Sequence, residues 1–146
     1  MRNLVWLIRF AALYNLSGAL IFVIPGGLGL FGVPAPPSLL WTWLPALMGC
    51  FAAVVLLLSA RDLHTYGAFP YWNGLVRLSF VIAAFALDFA ATAGGFITWL
   101  ALGDLVLAAA CLLGLPAVLQ RSHLDLLLNR HPEFKRGTEH ANIPPD

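Results

Sequence analysis

The sequence predicts an all-α, polytopic membrane protein: a bundle of four transmembrane helices followed by a C-terminal amphipathic cytoplasmic helix. Three observations lead there. The 146 residues are 60% hydrophobic and only 10% charged, with a mean hydropathy of +0.84, outside the range of soluble domains. No Asp, Glu, Lys or Arg occurs from Phe10 to Ala60, a segment that a soluble fold would have to cover with polar sequence this chain lacks. A bilayer core of about 30 Å takes about 20 apolar residues per helix, and the chain holds four such runs.

The first span is expected over about 3–24, ended by Pro25-Gly26-Gly27, because proline and paired glycines stop helices. Ala11, Asn15, Gly18 and Phe22 recur along it at three or four residues. They make a mostly small face on which helices approach closely and an Asn can hydrogen-bond across the contact. Arg9 lies near enough to the start for its stem to snorkel to the surface beside Arg2. Arg9 also interrupts the apolar run, and no small-x-small site follows it, so a cleaved secretory signal is not expected.

Gly26 to Ser38 is an apolar loop with Pro34, Pro36 and Pro37 near its end. Its backbone needs water or protein cover, which places it at the interface. The second span, about 39–60, carries no charge, with Pro45 bending its first turns. A polar segment from Arg61 to Gly67 precedes the third span, about 72–92, and Ala93-Gly94-Gly95 separates that from the fourth, about 96–115. Residues 1–116 thus form one transmembrane domain. Residues 117–131, with Leu124, Leu127 and Leu128 on one side, read as an amphipathic helix that lies on the membrane surface or caps its own bundle. The polar residues 132–146 read as a mobile cytoplasmic tail.

Charge sets the orientation. All eight Lys and Arg residues fall on one side of this arrangement or in the helix halves nearest it, so the positive-inside rule places both termini in the cytoplasm of a bacterial inner membrane. Trp6, Tyr66, Tyr71 and Trp72 mark the inner interface, and Trp41, Trp43 and Trp99 the outer one. The partners implied are the lipid bilayer and a further membrane protein or a second copy of the chain, with a lipid or quinone as an apolar ligand. A net charge of +1 and the lack of a basic patch interleaved with aromatics argue against nucleic acid.

The chemistry concentrates between Leu75 and Asp104. An ionisable group at the centre of a membrane helix costs about 2.5–3.5 kcal/mol on insertion scales, so it marks a candidate site. Arg77 and Asp88 share a face about 16 Å apart, too far for a direct pair. A hairpin folded about Gly94 brings Asp104 level with Phe85 and close to Asp88, leaving Arg9 and Arg77 in the inner half. Two such carboxylates cannot both ionise easily, which suggests a proton or cation site or the polar end of a ligand cavity. In the competing structural reading, Asp104 is held by Asn15, Tyr14, Ser17 or an arginine and locks the bundle. The candidate ligand or proton site is therefore Asp88, Asp104, Asn15, Tyr14, Arg77 and Arg9.

No other chemistry is legible. Cys50 and Cys111 fall inside spans without a Cys-x-x-Cys, and all four histidines lie outside them, which removes the axial ligands of a membrane haem. No nucleophile–base motif or phosphate loop is present; no catalytic residue, metal site or cofactor is assigned, and an enzyme ranks last among the readings.

Tyr14-Asn15-x-x-Gly18, Ala60-Arg61-Asp62, Gly74-x-x-Arg77 and Gly103-Asp104 together resemble small, largely uncharacterised bacterial four-helix inner-membrane proteins, broadly the DoxX-like group. The resemblance spans about residues 3–115. It implies a simple bundle in the inner membrane and no transferable catalytic residue. The functional expectation is an accessory or self-associating subunit of a membrane complex. The alternative is a carrier of an apolar lipid or quinone with Asp88 and Asp104 at the polar end of its cavity. A dimeric proton-coupled transporter ranks lower, since the first span carries no acid.

Overall fold

The computed structural model describes residues 1–130, so the expected tail over 132–146 lies outside the described residues. The described chain is helical without a strand. Helix α1 spans Arg2–Val23, a 3-10 turn Leu28–Phe31, α2 Leu39–Ser59, α3 Leu63–Tyr66, α4 Ala68–Ala86, α5 Phe89–Ala93, α6 Phe96–Leu119 and α7 His123–Leu127. The long helices pack as two antiparallel pairs, α1 on α2 and α4 on α6, with a sparser seam between the pairs.

Small residues decide how closely each pair approaches. In the first, Gly49 of α2 lies against the Asn15 backbone and Ala19 of α1. In the second, a Cβ on Gly74 of α4 would stand 2.9 Å from the Cys111 Cβ and 3.2 Å from Leu112 Cγ of α6. Only a hydrogen fits there. The core runs from Leu4, Ile8, Ala11 and Ala12 across Ala53 and Leu56 to Leu107, Cys111, Leu115 and Leu119. A smaller cluster of Val81, Ala84 and Ala101 fills the far end of the α4–α6 pair.

Three helices, α1, α2 and α6, are long and apolar enough to cross a membrane. The expectation of four transmembrane helices is corrected on this point. Helix α4 has the length, 19 residues, but Pro70, Tyr71, Trp72, Asn73 and Arg77 pull its hydropathy below that of the other three. It also differs in extent from the third span expected over 72–92, starting earlier and stopping at Ala86. Asp88 then adopts a left-handed backbone (φ 46°) ahead of α5.

The segment expected as one amphipathic helix over 117–131 is divided between two helices. Helix α6 continues through Pro116 to Leu119, because burial of Leu115 and Leu119 outweighs the one backbone bond that a proline removes. Gln120 ends it with a left-handed residue (φ 52°). Ser122 then starts α7, accepting from the Asp125 N–H at 3.1 Å and donating to the Asp125 carboxylate at 2.7 Å, a variant of the capping box. Helix α7 is five residues long and folds onto its own bundle: Leu126 is fully buried with Leu63 and Leu119. Trp72 Nε1 donates to the Leu127 carbonyl at 3.1 Å, and Tyr71 Oη pairs with His123 Nδ1 at 3.0 Å.

This capped end carries Arg2, Arg61, Arg121 and Arg130. Arg121 is buried there, its guanidinium donating to the carbonyls of His64, Asp125 and Arg130. The opposite end, where Phe31 meets Phe96 with ring centroids 4.5 Å apart, has neither Lys nor Arg among the described residues. There Gly94 (φ 89°) meets the Gly32 carbonyl, 2.8 Å from where its Cβ would be. Both the angle and the clearance require glycine.

Candidate functional site

Arg77 is the centre of the polar interior. It projects from the middle of α4 with 4% of its surface exposed, and all three of its nitrogen groups are used. Nη1 forms a buried ion pair with Asp104 of α6. Nε donates to Asn73 Oδ1, one turn earlier on α4, at 2.9 Å. Nη2 donates to Asn15 Oδ1 of α1. The guanidinium carbon lies 5.3 Å from the centre of the Tyr14 ring, within cation–π range. One side chain thus joins α4, α6 and α1.

Four of the six candidate residues converge: Tyr14, Asn15, Arg77 and Asp104. Asp88 and Arg9 do not. Asp88 is exposed beyond the end of α4, more than two helical turns past Arg77. Arg9 is exposed on α1, its guanidinium 5.4 Å from the Trp6 ring. The expected meeting of two carboxylates is therefore corrected: Asp104 faces a cation instead of a second acid. The cause is the register of the hairpin. A turn at Gly94 alone would set Asp104 level with Phe85, but the chain leaves α4 at Leu87 and uses Phe89–Ala93 for a separate helix. Helix α6 therefore slides by about two turns, and Asp104 meets Arg77.

Asn73 joins the cluster from outside the six candidates. The sequence carries its signal, since it precedes Arg77 by four residues and so shares its helix face. One loose end remains, the Asn15 Nδ2 group, which is buried with no partner among the described residues.

Against this cluster lies an apolar cleft of about 150 Å³ between α1, the Leu28–Phe31 turn and α6, lined by Tyr14, Ile21, Phe22, Val33, Phe96 and Leu100. Tyr14 is the wall shared by cleft and cluster. Its hydroxyl donates to the Leu100 carbonyl over a long 3.5 Å. Ser17, the other polar group on the wall, donates to the Tyr14 carbonyl at 2.8 Å.

The arrangement can cross-link helices, and it can present a tyrosine hydroxyl at the end of a small apolar space. A nucleophile activated by a base is not among its parts. No family model matches the sequence, and neither does any curated protein or solved structure.

Proposed function

We propose that this chain is a small integral membrane protein that serves as an accessory subunit of a larger membrane assembly or associates with itself. The observation that carries the reading is the closure of the Arg77 cluster. Its guanidinium is matched by one carboxylate and two amide oxygens, so the polar interior is a fastening between helices. What the molecule offers to others is its surface, where Leu47, Met48, Phe51 and Val54 of α2 are each more than half exposed.

The same proposal places the chain in a bacterial inner membrane with its arginine-bearing end in the cytoplasm. In support, Leu4, Ala60, Leu119 and Leu126 share one core region, so the described chain begins and ends at that basic end. Membership of the DoxX-like group remains part of the proposal, resting on the quoted motifs.

Cross-linking in native membranes followed by mass measurement in mild detergent tests this. A dimer or a defined heteromeric complex is expected. A lone monomer at every concentration and in every mild detergent would overturn it.

The cleft beside Tyr14 favours a second reading, a carrier of an apolar lipid or quinone with Tyr14, in place of the two aspartates, at the polar end. Leu100→Trp should then expel co-purifying apolar ligand while the fold holds; unchanged ligand content refutes it.

A further inference from the structure

A second, larger groove lies at the basic end, away from the Arg77 cluster. It measures about 560 Å³ and runs between α2 and the start of α4, walled by Phe51, Val55 and Leu58 on one side and Phe69 on the other. Arg61 lines it from the turn after α2 and Tyr66 from the end of α3. Tyr66 is held in place by Phe69, their rings stacked with centroids 6.3 Å apart.

We propose that this groove binds one anionic phospholipid, an acyl chain lying along α2 and the phosphate on Arg61 and Tyr66. The proposal rests on the membrane reading above.

Size excludes a protein occupant. At about 30 Å³ for a group the size of a water, the groove holds about nineteen such groups, the bulk of one acyl chain. A helix needs a trough about 10–12 Å across. Direction follows from the wall: Phe51, Val55 and Leu58 follow one another at helical spacing on a face of α2 over about 10 Å. That helix is one of the three apolar enough to cross a membrane, so a chain in the groove runs alongside the span.

Charge decides the headgroup. Arg61 is exposed and neither its guanidinium nor the Tyr66 hydroxyl has a hydrogen-bond partner among the described residues. The nearest acid in sequence, Asp62, is engaged in capping α3, its carboxylate accepting from the Thr65 N–H at 3.1 Å. His64 adds no negative charge. A guanidinium at the mouth of an apolar groove, on the end that also carries Arg2, Arg121 and Arg130, matches a phosphate diester, and basic pockets between cytoplasmic helix ends are where such headgroups bind.

The test uses the full chain in nanodiscs of mixed phosphatidylglycerol and phosphatidylcholine, released into mild detergent for native mass spectrometry. The expected result is one retained phosphatidylglycerol, preferred over phosphatidylcholine about fivefold, the factor one arginine near an anionic headgroup contributes. Arg61→Gln should erase the preference, Arg61→Lys should keep most of it, and Leu58→Trp should abolish retention of both lipids. Circular dichroism should show each variant as helical as the parent.

Equal retention of the two lipids by the parent chain overturns the proposal, as does an undiminished preference in Arg61→Gln. Displacement by glycerol 3-phosphate alone also overturns it, since the site would then be a plain anion site without a chain. Vesicle flotation separates the levels: a parent chain that fails to float sinks the membrane reading itself, whereas one that floats without the preference sinks only the lipid site.

Discussion

Removing one member of the Arg77–Asp104 pair leaves the other charge buried without compensation, at a cost of about 3–5 kcal/mol. Arg77→Gln and Asp104→Asn should each destabilise the protein by that order. The double variant Arg77→Met with Asp104→Leu should recover most of the loss, because replacing both charges with packed apolar groups is often neutral. Unfolding in graded denaturing detergent measures all three, and full additivity of the single losses would refute the coupling. Asp88 behaves oppositely. It is exposed and left-handed, so Asp88→Gly should leave stability unchanged or raise it by about 1 kcal/mol, while Asp88→Val should lower it, since a β-branched residue resists that backbone region. The same contrast shows what the residues disclose on their own. Arg77, Asp104, Asn15 and Tyr14 stand out as polar groups in apolar runs, and they do meet. Asp88 stands out equally, yet the break in the chain occurs at Leu87–Asp88, where neither glycine nor proline announces it. The visible break, Gly94-Gly95, lies six residues farther on.

Among the helices, the close approach of α4 and α6 depends on Gly74. Adding one methyl there meets Cys111 and Leu112 at once. Gly74→Ala should therefore cost about 1–3 kcal/mol, the usual effect of overpacking, and Cys111→Gly in the same chain should restore part of it. Equal unfolding curves for parent and Gly74→Ala would show that the two helices can part freely. Helix positions follow from hydropathy for α1, α2 and α6, where apolar runs end at Pro25-Gly26-Gly27, at Arg61 and near Pro116. Helix α4 is less legible. Its first five residues include Pro70, Tyr71 and Trp72, which a hydropathy reading assigns to the interface and the structure places inside the helix. The short α7 is governed by tertiary burial of Leu126, which no local pattern reports; the Ser122 to Asp125 spacing does foretell its start.

For the molecule as a whole, the two helix pairs meet along a seam that is thinner than the contacts within each pair. The Arg77 to Asn15 hydrogen bond crosses it, and the Gly32–Gly94 and Phe31–Phe96 contacts tie it at one end. Residues 1–61 and 62–146, expressed as separate chains in one cell, should therefore reassemble and co-purify. Asn15→Leu should weaken the association by about ten- to a hundredfold, as loss of one hydrogen bond to a charged group does. Fragments that never associate would show that the connecting turn is indispensable.

Arg77 and Asp104 belong to the same helix pair, on either side of the turn through Asp88 and Gly95. Opposite charges therefore cancel within a single helix pair, without any group from α1 or α2. Where the halves meet around Arg77, the first therefore faces a charge already paired, and the uncharged amide of Asn15 is what it adds at that point.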